Sequence, residues 1–154
     1  MFKEMRRQDR KLSDAETDEL LLNGNYGVLS IIGENGYAYG VPLSYVYSHD
    51  NIYLHCALDG QKLTDIRSNN KISFCVVGEA NPLPDQFSMK YKSAIIFGKA
   101  MEIDGEEKWN ALIAFVEKYS DEYLEKGKEL ASSSLHKTVV IRIDIERITG
   151  KARR

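Results

Sequence analysis

The sequence predicts an α+β fold, mainly β: a small barrel of six strands with two or three helices at its periphery. Three observations carry this. Short apolar runs recur along the chain, and glycine, asparagine or proline turns punctuate them. Near the end, Val139, Ile141, Ile143 and Ile145 alternate with Arg142, Asp144 and Glu146, the period of two of a strand with one wet face. Between these strands, Trp109, Leu112, Ile113 and Val116 follow the i, i+3, i+4, i+7 stripe of a helix. A length of 154 residues fits a single domain over 1–154.

The elements follow in order. Ser13 with Glu16 three residues later is a capping-box pattern, Leu20, Leu21 and Leu22 form the body, and Asn23-Gly24 stops a helix at about 13–24. This helix is expected to close one end of the barrel. Gly27–Ile32 is the first strand, ended by the turn Gly33-Glu34-Asn35-Gly36. Tyr37–Tyr47 is the second, and Ser48–Asn51 turns it into a third, Ile52–Ala57, so the three are expected to form a meander. Pro42 inside the second strand marks an edge or a bulge. Lys71–Gly78 is the fourth strand, followed by a polar loop with Pro82 and Pro84. Met89–Ile103 is the fifth, with Gly98 where a wall can bend. Helices are expected from about Glu106 to Tyr119 and over Glu122–Ser134; Thr138–Ile148 closes the barrel, leaving a tail at about 149–154.

Composition narrows the function. A net charge of −2 argues against a general nucleic-acid binder, which needs a basic surface. Basic residues do gather at the ends, Arg6, Arg7, Arg10 and Lys11 at one and Lys151, Arg153 and Arg154 at the other; they read either as solvated termini or as a binding element. Cys56 and Cys75 form no CxxC pair and sit in apolar runs, as free cysteines of a reducing compartment do. The first residues, Met-Phe-Lys-Glu-Met-Arg-Arg, are not a secretory signal, and no run approaches the ~18 apolar residues of a membrane span, so a cytoplasmic protein is expected. His49, His55 and His136 have no metal-ligand spacing, and no P-loop, GxSxG or GxGxxG is present.

The segment from Ile52 to Asn70 carries the chemistry. It reads as strand, Asp59-Gly60 turn, then a short helix with Leu63 and Ile66 one turn apart. A helix start after a glycine turn presents free N–H groups and the positive end of the helix dipole, an arrangement that binds phosphate. Lys62 in the first turn adds a full charge, or else is a solvated surface lysine. Asp59 opposes a phosphate unless its side chain turns away to cap the helix. His55 and Cys56 fall on opposite faces of the strand and cannot form a dyad. The strand tyrosines and Trp109 read as core or interface residues.

The run His55-Cys-Ala-Leu-Asp-Gly60-Gln-Lys62, then Ile66, Asn69-Asn70 and Ile72-Ser-Phe-Cys-Val, resembles the pyridoxamine-5′-phosphate-oxidase-like FMN-binding split barrels, and among these the nitroimidazole-resistance (Nim-like) branch. Further matches are Phe2-Lys-Glu-Met-Arg-Arg7, Tyr26-Gly-Val-Leu-Ser30, Gly40-Val-Pro-Leu-Ser-Tyr45, Tyr91-Lys-Ser-Ala-Ile-Ile-Phe-Gly98 and Ile148-Thr-Gly-Lys151. The resemblance covers nearly the whole chain in order. It implies a six-stranded FMN-binding split β-barrel that dimerises with FMN at the subunit interface. It implies that Val41, Pro42, Leu43 and Ser44 lie along the flavin ring and that Leu54, His55 and Ala57 border the ring and ribityl chain. Gly60, Gln61 and Lys62 would hold the phosphate, and Ser93 would stand near the cofactor.

It further implies a flavin-dependent oxidoreductase that passes electrons to a small acceptor, a nitroimidazole or other nitroaromatic being one, with NADH or NADPH as the donor. His55 would then donate a proton near the flavin, or would only order the phosphate turn. Two departures stand out. The oxidases carry an additional C-terminal segment for their substrate, and this chain ends almost where its last strand does, so vitamin B6 oxidation is not expected. Ala94 also replaces a more usual valine. Two other readings stay open: an FMN carrier or redox sensor without turnover, and a haem-binding split barrel using His55 or His136.

Overall fold

The computed structural model describes all 154 residues. Its first helix, α1 (Asp14–Asn23), begins on the expected capping box: the Ser13 hydroxyl accepts the Glu16 N–H and the Glu16 carboxylate accepts the Ser13 N–H. Gly24 ends it. β1 (Gly27–Ile32) and β2 (Ala38–Leu43) form an antiparallel hairpin across Gly33–Gly36, in which Gly36 takes φ +81°, a conformation glycine adopts freely. There follow β3 (Val46–Ser48), β4 (Asn51–Ala57), α2 (Gln61–Ser68), β5 (Lys71–Leu83), β6 (Ser88–Ile103), α3 (Gly105–Tyr119), α4 (Leu124–Ser134) and β7 (Thr138–Arg153).

All pairings are antiparallel, and the seven strands run β2-β1-β5-β6-β7-β4-β3. The sheet does not close by hydrogen bonds. Its two end strands are nonetheless joined by only Ser44 and Tyr45, so the sheet must curl until they stand side by side. A split barrel results, mainly β with helices attached.

The strand count is seven rather than six because Tyr37–Tyr47 is interrupted at Ser44-Tyr45. Side chains of α3 take the backbone groups that a ladder would use. The Tyr45 N–H donates to the Tyr119 hydroxyl at 3.0 Å, and the Tyr45 carbonyl accepts from Lys118 Nζ at 2.9 Å. The expected meander therefore does not form: β2 pairs with β1 at one end of the sheet while β3 and β4 lie at the other. Pro42 sits on the edge strand, as its missing N–H requires.

β5 continues past Gly78 to Leu83, so Pro82 pairs opposite Met89 instead of lying in a loop. This is tolerated because β1 covers only Ile72–Cys75 of β5, and Pro82 faces no second neighbour. Residues 149–153, read as a tail, are strand paired with Tyr91–Ile95. Gly98 lies at a bulge opposite β7, where a Cβ would fall 2.4 Å from the Asp144 carbonyl oxygen.

Two layers of core follow. Inside the barrel, Leu29, Ile31, Phe74, Val76, Ile96, Ile141 and Ile143 are almost fully buried. Leu21 of α1, with Leu63 and Ile66 of α2, packs into the same core. Outside, Ala111, Leu112 and Phe115 of α3 and Ala131 of α4 cover Val46, Tyr53 and Val140. Each strand thus has one face on the barrel core, and β4 and β7 have their other face under helices.

Candidate functional site

β4 delivers the site. Its even positions, Ile52 and Leu54, enter the barrel, whereas Tyr53 and His55 face α3. β3 pairs only as far as Tyr53, so Leu54–Ala57 have β7 on one side and no strand on the other. β2 likewise has β1 on one side and no strand on the other. These two unpaired backbone edges belong to the two ends of the curled sheet, and both leave N–H and C=O groups free to bind a ligand.

At the end of β4 the chain turns through Gly60 into α2. Gly60 has φ +139°, a conformation that L side chains rarely adopt, and its Cβ position is open space. No side chain caps the helix. The first bond is from the Thr64 N–H to the Gly60 carbonyl at 3.2 Å, which leaves the N–H groups of Gln61, Lys62 and Leu63 without a protein acceptor. Asp59 is exposed and does not serve as the cap. The opposition it posed to an anion is therefore reduced to a solvated charge.

His55 is solvent-accessible on one side and packs its ring edge-on against Phe115, with centroids 4.6 Å apart and planes at 83°. It makes no hydrogen bond to the 58–60 turn. Burial lowers the imidazole below its ordinary value, and the Lys62 ammonium pushes the same way, so the ring is uncharged at neutral pH. On the opposite face, burial raises the Cys56 thiol, which keeps it a poor nucleophile.

His55, Ala57, Gly60, Gln61 and Lys62 follow one another from the end of β4 into the start of α2, and all reach the surface at this β4–α2 mouth. Leu54 belongs to it only through its backbone, because its side chain is 1% exposed in the core. Val41 and Leu43 pack partly against the core, while Pro42 and Ser44 are exposed on the other unpaired edge. Ser93 stands apart. It lies on the outer face of β6 between Val77 and Lys151 and borders a depression of ≈210 Å³ with Lys3, Met5, Ile95 and Thr149.

Sequence reading missed Phe115, which backs His55, and the Lys118–Tyr119 clamp on Tyr45. Only the strand tyrosines hinted at either, since both contacts join residues some sixty to seventy positions apart.

A flavin nucleotide fits these groups: an uncapped helix start and Lys62 suit a phosphate, and unpaired strand edges suit the hydrogen-bonding rim of a heteroaromatic ring. Fold and site together define a split-barrel protein with an uncapped helix start beside its open seam. Residues 13–152 match the family model described as pyridoxamine 5′-phosphate oxidase, and the chain belongs to that family. No curated protein sequence matches the chain.

Among solved structures, it is similar to a candidate 5-nitroimidazole antibiotic resistance protein from Bacteroides thetaiotaomicron, with 22% identity, TM-score 0.75, and coverage of 92% of this chain and 85% of that one. A conserved hypothetical protein from Mycobacterium tuberculosis superposes with TM-score 0.84 at 21% identity over 98% and 91% of the two chains. A FAD-binding protein from Mesorhizobium loti does so with TM-score 0.65 at 23% identity over 94% and 98%. These likenesses establish the fold.

Proposed function

We propose that the chain binds FMN at the β4–α2 mouth and is a flavin-dependent oxidoreductase acting on a small acceptor. The observation that carries this reading is the uncapped start of α2: Gly60 at φ +139°, three partnerless N–H groups and Lys62 in the first turn. Gly60, Gln61 and Lys62 hold the phosphate, with the lysine adding a charge-assisted bond. The backbones of Val41–Ser44 and Leu54–Ala57 hold the ring and ribityl edges. The FAD-binding neighbour supports a flavin in this fold, and a single cradle suits the single phosphate of FMN.

The flavin, when bound, supplies electron transfer to the acceptor. The chain supplies position, exclusion of water and a proton. His55, neutral and free of hydrogen bonds, holds a ring N–H that it can donate to an acceptor entering over the mouth. Phe115 fixes the ring plane. The nitroimidazole-resistance neighbour makes nitroaromatics the first acceptors to try, with NADH or NADPH as donor.

The second copy follows from Ser93. Its strand presents Ile95 and Phe97, and its neighbour β5 presents Val77, all on the outer face and 38–47% exposed. Such an apolar sheet face suits a second copy of the chain, which brings Ser93 to the partner's mouth.

The test is the visible spectrum of the purified protein, followed by heat release and identification of the chromophore. Flavin bands with released FMN, and turnover of a nitroimidazole with NADH or NADPH, are expected. Released FAD would correct the cofactor. A flavin that no donor reduces would leave a carrier or sensor, and a Soret band would replace flavin with haem.

A further inference from the structure

The two ends of the chain meet on β7. Lys11 bridges Lys151 as an isolated antiparallel pair, and the Leu12 N–H donates to the Gly150 carbonyl at 3.0 Å. This collects basic residues that the sequence holds some 140 positions apart. Arg7, Arg10, Lys11, Arg153 and Arg154 line a cleft of ≈360 Å³ whose single acidic side chain is Asp9.

Not all of this charge is free. Arg7 makes a two-point pair with Asp9, at 2.8 and 2.5 Å, and Arg154 pairs with Glu16 at 2.5 Å. Arg10, Lys11, Lys151 and Arg153 have no carboxylate within 4.0 Å. Arg153 donates only to the neutral Gln86 amide oxygen, at 2.9 Å. Tyr91, opposite Arg153 in the β6–β7 register, feels the surplus. Burial works to raise its phenol, but the neighbouring Arg10 and Lys151 cations outweigh it and bring the group below the ordinary tyrosine value.

The meeting of the two chain ends therefore holds three unneutralised cations, Arg10, Lys11 and Arg153, in one cleft on a chain whose net charge is −2. Like charges at fixed backbone positions repel unless an anion lies between them, and guanidinium forks match phosphate oxygens. The cleft is compact, and the chain lacks the overall basic balance that binding a polyanion such as nucleic acid calls for.

We propose that this cleft is a second anion site, separate from the start of α2, that binds a small molecule carrying a diphosphate group. Arg10 and Arg153 supply the forks, Lys11 the remaining charge, and the Arg7–Asp9 pair forms one wall.

Isothermal titration of the full-length protein with sodium pyrophosphate at low ionic strength tests it. Saturable binding is expected, at least tenfold weaker in Arg10→Ala/Arg153→Ala, largely restored in Arg10→Lys/Arg153→Lys, and unchanged in Lys62→Ala. Melting curves of the alanine variant matching the wild type would show that it folds. ADP binding more tightly than pyrophosphate assigns the site to a nucleotide, and equal affinity assigns it to a free diphosphate. The proposal fails if no saturable heat appears, or if Lys62→Ala abolishes binding while the double alanine variant keeps it. Preference for a DNA duplex or a phosphatidylglycerol vesicle over pyrophosphate also overturns it.

Discussion

Tyr45 shows how much one residue arranges. Its hydroxyl donates to the Leu21 carbonyl at 2.5 Å, which fixes α1 over the barrel, and its backbone is held by Lys118 and Tyr119 of α3. The Lys118 ammonium also lies 3.9 Å from the centre of the Tyr45 ring. Tyr45→Phe leaves the buried Leu21 carbonyl without its partner and is expected to cost ~1–3 kcal/mol in urea unfolding. His55 and Lys62 set a second residue-scale expectation. Unfolded, His55 takes its proton near the ordinary value of 6.5; folded, it still refuses it. The unfolded state then binds more protons, so stability falls as pH drops below that value. Lys62→Ala removes the nearby charge, and NMR titration is expected to show His55 moving up toward the ordinary value. The same variant is expected to weaken flavin binding at least tenfold, in line with the ~1.5–3 kcal/mol of a charged hydrogen bond. Unchanged affinity by fluorescence titration would remove Lys62 from the phosphate site.

At the scale of elements, α2 matters by what it lacks. α1 and α3 start on side-chain caps, Ser13 and Asp104, whereas α2 starts on Gly60 and leaves its first N–H groups without a protein acceptor. β6 and β7 show the second device. Phe97 pairs with Arg147, but Gly98 pairs with Ile145, so one residue, Glu146, is extra. After it, Arg147, Thr149 and Lys151 face outward beside Phe97, Ile95 and Ser93, and the wall bends. Gly98→Ala drives a methyl group into the Asp144 carbonyl and Ile143 Cγ2, at 2.4 and 2.9 Å. A loss of ~1–3 kcal/mol is expected by thermal unfolding. A neutral result would mean that the bulge relaxes freely.

At the scale of the molecule, the open seam and the apolar outer face belong together. Curling places helices over β4 and β7 and leaves the outer face of β5 and β6 bare, with Phe2 stacked on Phe97 at 5.1 Å as its partial cover. If a second copy completes the site there, Phe97→Asp is expected to yield monomers in sedimentation velocity and to lose flavin with them. A monomeric wild type that keeps its flavin would separate the cofactor from the dimer.

Sequence by itself determined the local features. Ser13 and Glu16 wrote the capping box, Gly33–Gly36 the hairpin, the alternation from Val139 to Ile145 the faces of β7, and Gly60-Gln61-Lys62 the start of α2. Each depends on neighbours within about one turn or one strand, where propensity and period suffice. Tertiary structure alone decided the rest. Tyr45 broke the second strand because partners on α3, some seventy residues away, outbid the ladder. Leu54 lost its side chain to the core, Ser93 was carried to another face, and two basic ends became one cleft. These outcomes follow from which strand lies beside which, and strand order is a long-range choice that no local pattern encodes.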